Sequence, residues 1–129
     1  MELQNSNTNL KVDFESREEN LHFEGVFDIE PRELHEKLNQ VVLVDVRQAE
    51  EYQGDLGHIP NSILIALDEL PERIDQLPRN QTIVFVCRSG TRSARAASFA
   101  KEMGIDDVYN LKGGMILWNE LKYATEGND

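Results

Sequence analysis

The sequence predicts an α/β fold: an open, twisted, mostly parallel sheet with helices on both faces. Two observations carry this expectation. Val41-Val42-Leu43-Val44-Asp45-Val46 and Thr82-Ile83-Val84-Phe85-Val86 are short, nearly continuous apolar runs rich in β-branched side chains. Such runs form strands buried on both faces, as in parallel sheets covered by helices. Around them lie segments of helical period ended by glycines, so strands and helices alternate along the chain.

Residues 1–20 are rich in Asn, Ser and Glu and have no sustained period. They are expected to form a flexible N-terminal arm or an extension folded over the domain. The domain proper is assigned to residues 21–125, and residues 126–129 to a disordered C-terminal tail. Pro31 suits the first turn of a helix over 31–39, with Leu34 and Leu38 on one face. After the strand at 41–46, residues 50–53 predict a short helix ended by Gly54 and Gly57. Ile63-Leu64-Ile65 predicts a short strand, and residues 67–74 a helix. Beyond the strand at 82–86, residues 93–103 predict an amphipathic helix. Ala96, Phe99, Ala100 and Met103 share one face, Arg95, Ser98 and Glu102 the other, and Gly104 fits the C′ position. Residues 108–111 predict another strand. Gly113-Gly114 then turns into a last helix carrying Met115, Leu117 and Trp118.

A chain of 129 residues with 40% hydrophobic content supports one packed core. Its net charge of −11 disfavours nucleic acid and anionic membrane surfaces as partners. No apolar stretch approaches the length of a membrane span. The first ten residues lack the basic and apolar regions of a secretory signal, so a cytoplasmic location is expected. The single cysteine can form neither an internal disulfide nor a cysteine-rich zinc site. Charge is uneven, however. Arg88, Arg92 and Arg95 follow Cys87 within eight residues, with no acid among them. That local cationic character suits a small anionic substrate.

In open parallel sheets, sites form outside the carboxyl ends of strands, and both Asp45 and Cys87 lie at such ends. Cys87 follows a rigid apolar strand. Gly90 can take positive φ, so the loop can curl and bring successive backbone N–H groups together. The next helix points its positive end at the same spot. Together with Arg88 and Arg92, these features favour an anion, and they mark Cys87 as a thiolate nucleophile. A buried strand-end cysteine with a packing role alone has no need of this loop. Only four residues separate Cys87 from Arg92. A cysteine-phosphatase loop has one more, so this one is better sized for a sulfur atom than for a phosphoryl group.

The segment Cys87-Arg88-Ser89-Gly90-Thr91-Arg92-Ser93 resembles the Cys-x-x-Gly-x-Arg-Ser loop of single-domain rhodaneses. Three further segments share the resemblance, which runs from about residue 24 to 123. They are Asp45-Val46-Arg47 with Glu50-Glu51-Tyr52, Gly57-His58-Ile59-Pro60-Asn61-Ser62, and Gly113-Gly114 with Trp118. Asn61-Ser62 departs from the commoner Gly-Ala in a turn without chemistry. The resemblance implies a sheet of about five parallel strands and a sulfurtransferase without a cofactor. Cys87 would take sulfane sulfur from thiosulfate or a similar small anionic donor and pass it on as a persulfide. The acceptor would be cyanide, a thiol or a protein. Backbone N–H groups of residues 88–93 would hold the persulfide, and Arg92, with Arg88, would attract the donor.

Other candidates have structural readings. Asp45 can pair with a loop arginine or with Arg47, and Arg47 with Glu50 or Glu51, both as structural ion pairs supporting the site. His58 is expected to hydrogen-bond backbone in its turn. No metal set is expected from it or from the distant His22 and His35. Trp118 reads as core or site wall. Ser93 is either a helix cap alone or a cap that also bonds the Cys87 sulfur. Two other functions remain to be weighed: a cysteine-based phosphatase or arsenate reductase of related fold, and a non-catalytic docking or sensing module.

Overall fold

The computed structural model describes residues 11–127. The first ten residues of the expected arm and the last two of the expected tail lie outside them. Six strands form one sheet in the order β1-β2-β6-β5-β3-β4. They are β1 (Glu18–Glu19), β2 (Phe27–Ile29), β3 (Val42–Asp45), β4 (Ile63–Leu64), β5 (Ile83–Val86) and β6 (Val108–Leu111). Every pairing from β2 across to β4 is parallel, and β1 alone runs antiparallel, on the β2 edge. The five expected parallel strands are therefore present, and the N-terminal extension adds a sixth.

The helices are α1 (Pro31–Glu36), α2 (Ala49–Tyr52), α3 (Leu70–Arg73), α4 (Thr91–Glu102) and α5 (Gly114–Glu120). The two-residue period of the strands divides the core into two clusters. On one face Val44, Ile83, Phe85 and Cys87 pack with Leu70 of α3 and with Ala96, Ala97 and Ala100 of α4. On the other, Leu43, Val84 and Val86 pack with Leu34 of α1 and with Met115 and Trp118 of α5. All four residues of β5 are buried, which is why its sequence shows no polar alternation.

The boundaries differ from the expected ones for local reasons. Residues 67–74 do not form one helix. A 3-10 turn at Leu67–Glu69 precedes α3, and another at Ile74–Gln76 follows it. Pro71 has no N–H to donate back to Leu67, so a continuous α-helix cannot run through this point. The helix over 31–39 likewise stops at Glu36 and continues as a 3-10 turn at Leu38–Gln40. Helix α4 begins at Thr91, two residues before the expected start, and ends at Glu102. Met103 is its C-cap and is exposed, having left the apolar face.

The described part of the arm, residues 11–20, packs on the domain. Phe14 is buried and meets Tyr109 edge-on, with ring centroids 5.1 Å apart. The Val12 N–H donates to Thr82 Oγ1 at 2.6 Å. The Glu33 carboxylate accepts the N–H groups of Glu15 and Ser16 at 2.9 and 2.8 Å and pairs with Lys37 at 2.8 Å. The expected tail also differs at its start, because Glu126 and His58 exchange two backbone hydrogen bonds of 2.9 Å.

Glu33 gives the arm a pH dependence. Burial opposes its charged form, but hydrogen bonds from Lys37, Ser16 and Glu15 outweigh that and lower its carboxyl from 4.5 to about 2. Its contribution is therefore full above the unfolded value and is lost as pH falls through about 2. Thermal melts of wild type between about pH 5 and pH 2.5 are expected to show declining stability. In Glu33→Gln the decline should be smaller by about 1–3 kcal/mol. Identical declines would show that the carboxylate does not secure the arm.

Candidate active site

Cys87 directly follows β5, at the carboxyl edge shared by the parallel strands. Gly90 is the N-cap of α4, with φ of +107°, a backbone conformation that an L side chain resists. That turn brings the Gly90 N–H to 3.1 Å from Cys87 Sγ, to which it donates. The Ser93 hydroxyl lies 3.1 Å from the same sulfur. Ser93 is the third residue of α4 and makes no cap hydrogen bond, so of its two readings the bond to sulfur holds and the cap does not. The thiol is buried at 1% exposure, and the backbone N–H it accepts is that of the α4 N-cap.

Helix α5 closes the loop from behind. The Met115 N–H donates to the Cys87 carbonyl at 2.9 Å and the Ile116 N–H to the Arg88 carbonyl at 3.0 Å. Both carbonyls are thereby engaged by α5. The approach is so close that a Cβ on Gly114 would sit 2.4 Å from the Cys87 oxygen and 2.5 Å from that of Arg88. Gly113-Gly114, expected only as a turn, is thus the floor of the cysteine loop.

The arginines divide by partner. Arg92 makes a bidentate pair with Glu51, both contacts at 2.8 Å. The Arg92 hydrogen bonds lower the Glu51 carboxyl to about 2 against the opposing effect of burial, and Glu51 in turn raises Arg92. Arg92 therefore ties α4 to α2, a pairing that the sequence does not anticipate. Arg47 is buried. It binds Asp45 through Nε at 2.9 Å and Nη2 at 2.8 Å, and reaches the carbonyls of Glu51 (3.1 Å) and Gly57 (2.7 Å). Of the partners weighed for Asp45, Arg47 is the one found. The expected pairing of Arg47 with a Glu50 or Glu51 carboxylate is corrected, since Arg47 takes the Glu51 carbonyl and the carboxylate goes to Arg92. Arg95 lies over the Phe23 ring at 5.4 Å. Arg88 is exposed and has no ion pair or hydrogen-bonding side-chain contact among the described residues.

Two grooves flank the loop. One, of about 310 Å³, is lined by Arg88 with Arg47, Glu50, Glu51 and Asp55. The other, of about 200 Å³, is lined by Ser89, Gly90 and Thr91 with Asp28, Asn110 and Lys112. His58 Nδ1 lies 2.8 Å from the Tyr52 carbonyl, the expected backbone bond, and its ring stacks on Tyr52. Trp118 is fully buried core. Asn110 is a site residue that the sequence reading missed. It is buried, and its Oδ1 lies 2.5 Å from Ser93 Oγ. Its signal was present as a lone amide in the otherwise apolar strand Val108-Tyr109-Asn110-Leu111.

A buried cysteine at the carboxyl edge of a parallel sheet, followed by a loop that curls into a helix N-terminus, defines a class of α/β proteins with a cysteine loop. Within it, the profile of the rhodanese-like domain matches residues 30–121, and the chain belongs to that family. A sulfurtransferase of Allochromatium vinosum is 33% identical over 96 residues, 72% of this chain and 88% of that protein. The thiosulfate sulfurtransferase GlpE of Pseudoalteromonas translucida is 36% identical over 84 residues, 65% of this chain and 77% of that protein. A rhodanese-related protein from Thermoplasma volcanium superposes with a TM-score of 0.70 at 32% identity, covering 75% of this chain and 94% of that one. These relatives place the chain in a sulfurtransferase family. No helix among the described residues is long and apolar enough to cross a membrane.

Proposed function

We propose that the protein transfers sulfane sulfur through a persulfide on Cys87, with thiosulfate or a similar small anion as donor. The observation that carries this reading is the Cys87 sulfur itself, facing the Gly90 N–H and the Ser93 hydroxyl in a loop four residues short of Arg92. In the first half-reaction the thiolate attacks the outer sulfur of thiosulfate. The new S–S bond forms as the old one breaks, and sulfite leaves with the electron pair. In the second, an acceptor anion attacks the outer persulfide sulfur and regenerates the thiolate. Cyanide gives thiocyanate; a thiolate gives a new persulfide. The chain has no second cysteine, so the sulfur passes to an outside acceptor. Thiocyanate formation from thiosulfate and cyanide tests the reading. Turnover is expected, and its absence with every sulfane donor would overturn it.

Among the described residues of the loop, Arg88 is the cation without an ion pair, so it, rather than Arg92, is assigned to draw in the donor's charge. Arg88→Ala is expected to lower kcat/KM for thiosulfate by about tenfold, with little effect on a neutral persulfide donor. Arg92→Ala should lower both equally, because it frees Glu51 and loosens the start of α4. The reverse pattern would return the donor-binding task to Arg92.

A further inference from the structure

Asn110 reaches the sulfur through Ser93. One Nδ2 proton goes to Asp28 Oδ1 at 2.9 Å and the other to the Gly90 carbonyl at 3.1 Å. A carboxylate and a carbonyl can only accept, so the amide has one consistent orientation, with Oδ1 facing Ser93. Its placement is set by the backbone, because Asp28 and Asn110 are register partners on adjacent parallel strands. Asn20 Nδ2 also donates to Asp28 Oδ1, at 2.9 Å, and steadies the carboxylate.

Ser93 has one hydroxyl proton and two neighbours able to take it, Cys87 Sγ at 3.1 Å and Asn110 Oδ1 at 2.5 Å. Asn110 Oδ1 can only accept, whereas a thiol can also donate. With Cys87 as a thiol, the S–H donates to Ser93 Oγ and the Ser93 O–H donates to Asn110. A thiolate or persulfide anion has no proton to give. Ser93 must then turn its proton to sulfur, and Asn110 Oδ1 loses its donor.

The geometry points to Asn110 as a positioning residue that directs the Ser93 proton: toward itself when Cys87 is a thiol, and released to sulfur when sulfur is anionic. The persulfide half of this assignment rests on the proposed function; the thiol–thiolate half does not. Other charges near the sulfur are Arg88 beside it, the Arg92–Glu51 pair from α4 and α2, the Asp45–Arg47 pair at the end of β3, and Lys112 and Asp28 along the adjoining groove. None of these touches the Ser93 hydroxyl.

Alkylation of Cys87 by iodoacetamide across pH, in the full chain, tests the assignment. Asn110→Leu leaves sulfur as the one acceptor for the Ser93 proton. It should move the alkylation profile to lower pH and raise the rate near pH 6 by roughly tenfold. In a Ser93→Ala background the same substitution should produce no shift. Equal shifts in both backgrounds, or no shift with Ser93 present, would overturn the assignment. Should Asn110→Leu not fold, Asn110→Ala serves in its place. Water can then accept part of the Ser93 hydrogen bonding, and a smaller shift in the same direction is expected, again only with Ser93 present. Alkylation needs no sulfur donor. A Ser93-dependent shift in a protein that forms no persulfide would uphold the hydrogen-bond assignment and refute the sulfur-transfer reading.

Discussion

Replacing Cys87 with serine is expected to abolish sulfur transfer and leave the fold in place. The hydroxyl is close to the thiol in size and can accept the Gly90 N–H that the sulfur now accepts at 3.1 Å. Apolar packing around position 87, against Val44, Phe85 and Ala97 among others, is nearly unchanged. What goes is the chemistry. An alcohol is a poor nucleophile at neutral pH, and it cannot carry a sulfane sulfur as a persulfide does. Thiocyanate formation should fall below detection while the thermal melt stays close to that of wild type. Residual turnover above roughly 1% would show that another group accepts sulfur, since losing a nucleophile removes nearly all covalent catalysis.

Gly114→Ala is the substitution expected to do most damage without touching a reactive atom. Gly114 has φ of +57°, and a Cβ there would meet the carbonyl oxygens of Cys87 and Arg88 at 2.4 and 2.5 Å. Those contacts are with backbone, which cannot swing aside as a side chain would. Either α5 retreats and loses the Met115 and Ile116 hydrogen bonds, or the cysteine loop shifts and moves the sulfur from the Gly90 N–H. Left-handed strain and the displaced loop together should cost about 3 kcal/mol or more. Melting should fall by about 10 °C. Sulfur transfer should fall further than stability alone explains, because the loop proposed to hold the persulfide is what moves. A variant with wild-type melting and turnover would contradict the role given to this close approach.

The fold is legible in the sequence where burial is complete and period is simple. β3, β5 and β6 were legible because both faces are covered, so that nearly every residue is apolar. Helix α4 was legible from its alanine-rich face and from Gly104. β1 was not, because Glu18–Glu19 is two exposed acids whose strand geometry comes from pairing with β2. Cys87, Gly90 and Ser93 could be read because they are contiguous, and one loop sets their geometry. The partners of the arginines could not. Asp45, Arg47, Glu51 and Arg92 all sit near the site, but which carboxylate meets which guanidinium depends on where α2 lies against α4. The Arg92–Glu51 contact spans 41 residues. Arg92, expected to draw in the donor, is thereby committed to Glu51, which is why the donor's charge is proposed to fall to Arg88. Asn110 shows the same limit, since its link to Cys87 passes through Ser93 and depends on the β2–β6 register.

Sulfane sulfur is expected to reside on Cys87 during transfer, and intact mass spectrometry reads that directly. After incubation with thiosulfate, wild-type protein should be heavier by one sulfur atom. Cyanide should remove that sulfur, and Cys87→Ser should never acquire it. An unchanged wild-type mass with every sulfane donor, or an equal gain in Cys87→Ser, would contradict a Cys87 persulfide.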